Sequence, residues 1–155
     1  MKTVKGDLIA LAQQGEFDVI VHGCNCFCNM GAGIAKQIAV TFPEALKIDL
    51  TTKKGDISKL GTVSVAIIVN ARALYIVNAY TQYRYGYGRG EMHCDYDAIK
   101  KCFKRIKLMF TGQRIGYPAI GAGLARGDWS RISAIINEEL EGEDHTFVEY
   151  LPIPL

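Results

Sequence analysis

Between His22 and Ile38 the chain reads HGCNCFCNMGAGIAKQI. One imidazole, two asparagines, three thiols and three glycines fall within these seventeen residues. An imidazole moves protons near neutral pH. An amide such as that of Asn25 orients a hydroxyl or a water without titrating. Glycines let the backbone approach a phosphate closely, and the first N–H groups of a helix, aided by its dipole, make an anion site. A second segment of this kind, Ile120-Gly121-Ala122-Gly123-Leu124, comes later, again between a strand pattern and a helix pattern. Two such turns at one sheet edge suit two phosphates, or one diphosphate held from both sides. His22 also has a plainer reading. Strand alternation sets it on the face of Ile20, where a hydrogen-bonded core histidine fits. Asn25 could equally satisfy its own loop's backbone.

The thiols carry less. Cys24, Cys26 and Cys28 alternate one residue apart, whereas structural zinc favours two to four residues between cysteines. Even with His93 and Cys94 nearby, no metal centre is expected. A cysteine phosphatase needs a thiolate in a phosphate cradle closed by arginine, and no CxxxxxR occurs. Neither glycine segment is a GxGxxG or a GxxxxGK[ST], so no dinucleotide fold or P-loop is indicated and no cofactor is expected.

The elements that must position these residues follow from short apolar runs and helical periods. Phe17–Val21 reads as a buried strand, and a helix runs from Gly31 to about Thr41, stopping before Pro43. Pro43 opens a short helix. Thr62–Val69, rich in β-branched residues, and Ala73–Ala79 form a hairpin around Asn70-Ala71-Arg72. The stretch TQYRYGYGRGEMHC has no period and reads as a long functional loop carrying Tyr83, Tyr85, Tyr87, Glu91 and His93. Asp95–Met109 is a helix burying Ile99, Cys102, Phe103, Ile106 and Met109, with Asp95 at its start as N-cap or as a catalytic carboxylate. Gln113–Ala119 is a strand. Asp128 caps a last helix, on which Trp129 packs toward the sheet, and Thr146–Leu151 is a final strand. A short strand at Thr3–Val4 precedes them all. Strands alternating with helices predict one α/β domain over residues 1–155 with a largely parallel or mixed sheet.

The totals exclude several classes. The length of 155 residues suits one domain, and 49% hydrophobic residues suffice for a core without disulfides. A formal charge of +2 is too small for nucleic-acid binding by bulk electrostatics. The basic run KKCFKRIK has Phe103 and Ile106 at helical spacing and reads as a solvated helix face. No segment reaches the ~18 apolar residues of a membrane span, and no signal peptide is expected. Five cysteines, an odd number, point to a reducing cytoplasm.

Taken together the motifs resemble the macro domain family over essentially the whole chain. They are Lys5-Gly6-Asp7-Leu8, then Asn25 with Gly31-Ala32-Gly33-Ile34-Ala35, then Pro118-Ala119-Ile120-Gly121-Ala122-Gly123-Leu124. The resemblance implies a three-layer α/β/α fold with a central mixed, largely parallel sheet, and an ADP-ribose site. His22, Cys24, Asn25, Cys26, Gly31, Gly33, Ile34 and Ala35 match the loop of the ADP-ribose 1''-phosphate phosphatases, with Ala32 in place of a glycine. This implies hydrolysis of ADP-ribose 1''-phosphate to ADP-ribose and phosphate by a monomer. Asp7 would then bind the adenine amino group. Leu8 and Leu151 would wall the adenine. Gly31, Ala32, Gly33, Ile34, Ile120, Gly121, Ala122, Gly123 and Leu124 would cradle the diphosphate. His22, Asn25 and Asp95 would serve the distal ribose. The chain is also similar to the terminal ADP-ribose protein glycohydrolases, which use a lysine and an aspartate where this chain has Gln82 and Ala125. That departure weighs against removal of ADP-ribose from a protein or nucleic acid. A reader of ADP-ribose without chemistry is the third possibility, and it would not require His22.

Overall fold

A computed structural model describes residues 1–69, 72–86 and 91–151. The described elements run β1 (Lys2–Gly6), α1 (Leu8–Gln13), β2 (Val19–Cys24), α2 (Gly33–Thr41), α3 (Pro43–Leu50), a 3-10 turn (Ile57–Lys59), β3 (Val63–Val69), β4 (Ala73–Tyr80), α4 (Tyr96–Met109), β5 (Ile115–Tyr117), α5 (Trp129–Glu139) and β6 (His145–Tyr150). The strands form one sheet in the order β1-β6-β5-β2-β4-β3. Every neighbouring pair is parallel except the β3/β4 hairpin.

Alternation along β2 builds both faces of the core. Val19 and Val21 face α4 and α5, packing with Ile99, Phe103, Ile106, Ile132 and Ile136. Ile20 faces the other way, with Leu8 and Ile9 of α1, Ile38 of α2 and Ala45 of α3. A parallel strand buried on both faces needs this two-sided apolar pattern. The result is three layers, helix on sheet on helix. Trp129 packs its ring 4.5 Å from that of Phe147 on β6.

Three readings change. First, β2 runs to Cys24 instead of ending at Val21. Its continuation through His22 is possible because Asn78, the register partner on β4, takes the imidazole. Second, α1 has only six residues and no period to betray it. Its mark is Asp7, whose side chain accepts the Ala10 N–H at 3.0 Å as an N-cap. Third, Met109 is 42% exposed at the fraying end of α4, not buried. Residues 70 and 71 of the hairpin turn, Tyr87, and the prolines after Leu151 lie outside the described residues.

Candidate functional site

At the carboxyl ends of β2, β4 and β5 the chain leaves the sheet by three loops, and a cleft of about 500 Å³ opens between them. Open parallel sheets bind ligands at this edge. One wall runs from Gly23 to Asn25, then through Asn29 and Gly31 to the start of α2 at Ala35. The opposite wall is Pro118–Gly121 with Gly123, Leu124 and Ala125, and Gln82, Tyr85, Gly86 and His93 close one end.

The two glycine turns are built differently. Ala32 is the N-cap of α2 and offers no side-chain cap, so the first helical amides at this end keep free hydrogens. Gly33 has φ +58, the left-handed region glycine enters freely. The second segment does not lead directly into a helix, as its sequence suggests. It is a run of turns in which Ala122 N–H donates to Ala119 O, and Arg126 N–H to Gly123 O. Helix α5 starts only at Trp129, capped by Asp128. Gly121, at φ +75, is pressed so closely that a Cβ there would lie 2.8 Å from the Cys94 sulfur. Ala122 turns inward and packs on the core.

No Asp, Glu, Lys or Arg is among the described lining residues; the ionisable side chains there are Cys24, Tyr85 and His93. Burial pushes the Cys24 thiol well above its ordinary range, which leaves it without nucleophilic character. His93 is held by its backbone, whose N–H donates to Ala125 O at 3.0 Å, while the adjoining Cys94 bridges Gln82. The imidazole therefore stands where the loop after β4 and the loop after β5 meet.

Two of the three residues expected at the reacting end are placed elsewhere. His22 is fully buried beneath the cleft, 2.6 Å from Asn78 Oδ1, and burial lowers its pKa to about 4. Asp95 accepts the Ala98 N–H at 2.9 Å and caps α4. Neither lines the cleft. Asn25 does, though its Nδ2 donates to Asn29 O and its Oδ1 accepts from Phe27 N. One N–H and one lone pair remain for a ligand.

The sequence reading passed over Asn29, whose Oδ1 accepts the Gly31 N–H at 3.0 Å and shapes the first turn. An asparagine two residues before a turn glycine is the signal that could have found it. The structure also gives Gly23 a reason to be glycine. A Cβ there would meet Thr81 Oγ1 at 2.8 Å, and that hydroxyl is buried without a partner.

Family comparison fits this cleft between glycine turns at the end of a mixed sheet. A model of the macro domain matches residues 21–136. The chain belongs to the macro domain family. It is 33% identical over 159 aligned residues to an uncharacterized 17.5 kDa protein of Enterobacteria phage T4, covering 99% of this chain and 98% of that one. It is 31% identical over 150 residues to the ADP-ribose glycohydrolase OARD1 of Bos taurus, covering 95% of this chain and 88% of that one. A solved Bacteroides thetaiotaomicron protein of unknown function superposes with a TM-score of 0.77 at 28% identity, over 97% of each chain. In this macro domain the remaining expected ligand residues lie apart from the cleft lining. Asp7 borders a shallower pocket between α1 and α2. Leu8 is 3% exposed in the core, and Leu151, 53% exposed, follows β6 with its N–H on Gly6 O. Tyr83 is tied by its hydroxyl to Gly55 O, Tyr85 lines the cleft, and Glu91 is exposed outside it.

Proposed function

We propose that this macro domain binds ADP-ribose in the cleft and hydrolyses ADP-ribose 1''-phosphate to ADP-ribose and phosphate. The observation that carries the reading is a cleft walled by two glycine turns whose described lining holds no carboxylate. Free backbone amides and the α2 dipole favour a diphosphate there, and no fixed negative charge opposes it. Gly31, Ala32, Gly33 and Ile34 hold one side of the diphosphate, and Ile120, Gly121, Gly123 and Leu124 the other. Asn25 and Asn29 orient the distal ribose.

For the reaction, water attacks the terminal phosphorus and the 1''-oxygen leaves. Amides stabilise the charge that develops on the phosphoryl oxygens. His93, the imidazole of the described lining, supplies the proton to the leaving oxygen. His22 acts as a core residue in this scheme and Asp95 as a helix cap.

The test is calorimetric titration with ADP-ribose, then phosphate release from ADP-ribose 1''-phosphate on the same sample. Binding with release is expected. His93→Ala should cut turnover by about a hundredfold or more while Kd stays within about tenfold. Binding without release would sink the phosphatase reading. Release that survives His93→Ala would remove His93 from it. A second reading is removal of ADP-ribose from a macromolecule, favoured by the 31% identity to an ADP-ribose glycohydrolase. Gln82 and Ala125, both in the cleft, replace the lysine and aspartate of that chemistry. Loss of label from an ADP-ribosylated protein without phosphate release would select it.

A further inference from the structure

Behind the Asn25–Asn29 rim the chain buries an amine among thiols. Lys59 is 7% exposed, yet no carboxylate pairs with it among the described residues. Its Nζ donates to Cys26 O at 3.1 Å, lies 3.6 Å from Cys28 Sγ, and sits 4.7 Å from the centre of the Tyr80 ring. An ammonium held away from water without a counter-ion is costly. The nearby Asp49 is 1% exposed, and its Oδ2 has no partner. Cys28 Sγ touches the same wall, 3.3 Å from Asp49 O and 3.5 Å from Thr52 Oγ1.

Cys28 also differs from the other four thiols. It is half-buried, whereas Cys24, Cys26, Cys94 and Cys102 are buried. It stands at φ +55, a left-handed backbone that a side chain rarely adopts. No disulfide uses any of the five.

We propose that Cys28 and Lys59 form a covalent bridge through one oxygen, Sγ–O–Nζ, when the protein meets a peroxide. The thiol sulfur attacks one peroxide oxygen, the O–O bond breaks, and a sulfenic acid and water result. A second peroxide oxidises the Lys59 amine to a hydroxylamine and releases a second water, the displaced proton passing to solvent. Sulfenic acid and hydroxylamine then condense, forming S–O–N and releasing a third water. An inserted oxygen spans the 3.6 Å gap with less movement than a direct S–N bond. The bridge ties the rim to the 3-10 turn, since Asn25 Nδ2 closes the Cys28 loop onto Asn29 O at 2.8 Å. Its effect on ligand binding rests on the proposed function, while its formation does not.

The experiment is intact-mass measurement of the whole chain before and after hydrogen peroxide, followed by tryptic mapping with fragmentation. The expected product has gained one oxygen and lost two hydrogens. It joins the peptides of Cys28 and Lys59, is absent in Lys59→Arg and Cys28→Ser, and reverts in excess dithiothreitol to thiol and amine, with water and oxidised dithiothreitol formed. Three results would overturn the proposal: loss of two hydrogens without oxygen gained, oxygen gained without hydrogen lost, or the same adduct in Lys59→Arg. The wild-type measurement decides by itself if either variant fails to fold. No ligand enters the test, so it stands or falls apart from the phosphatase assay.

Discussion

His22 and His145 are both kept neutral by burial, each with a pKa lowered to about 4. The unfolded chain binds those protons near pH 6.5. Their burial therefore costs nothing above about pH 6.5, and stability falls as pH drops from there toward 4. Each should remove up to about 3 kcal/mol over that window. Urea midpoints at pH 7 and pH 5 measure the loss, and His22→Asn should reduce it. His22→Ala should leave Asn78 Oδ1 unpaired and cost about 1–3 kcal/mol, with ADP-ribose affinity within about twofold of wild type. If affinity and stability collapse separately, His22 touches the ligand after all. The glycines divide in the same manner. Gly121→Ala must push against the Cys94 sulfur from a left-handed backbone, and should destabilise by about 1–3 kcal/mol. Nothing lies within 4 Å of a Cβ at Gly123. Gly123→Ala should hold its melting temperature yet weaken ADP-ribose binding, because the methyl enters the space a phosphate would take.

At the level of elements, two aspartates do the same work. Asp7 and Asp95 each accept the N–H three residues on and start α1 and α4. Asp95→Ala should cost about 1 kcal/mol by denaturant melting and leave phosphate release unchanged; a turnover loss beyond the stability loss would restore a catalytic role. Long periodic elements were readable from the sequence. Helix α4 announces itself through Ile99, Phe103 and Ile106, and the hairpin through its β-branched run. The failures have physical causes. Six residues make too little period to reveal α1. A polar histidine hides the last three residues of β2, because its partner Asn78 is 56 positions away in the chain. The second glycine turn looked like the first, since local composition does not say whether turns or a helix follow. The glycine turns at the cleft were legible because glycine geometry is local, whereas the depth of a buried imidazole such as His22 depends on distant strands.

Across the whole molecule, the sheet order puts the cleft where three parallel strands end together, so loops far apart in sequence line one cavity. The same order joins the first described strand to the last. Lys2 pairs with Thr146 and Gly6 with Tyr150, in parallel. Pulling the two ends of the chain apart therefore drags β1 and β6 along each other in opposite directions, and the whole ladder is loaded at once. A hairpin such as β3 and β4, opened from its free end, parts one bond at a time. Gripped by its ends in a force spectrometer, the domain should resist like a lap joint, and it should yield at lower force when gripped through β3 and β4 so that they unzip.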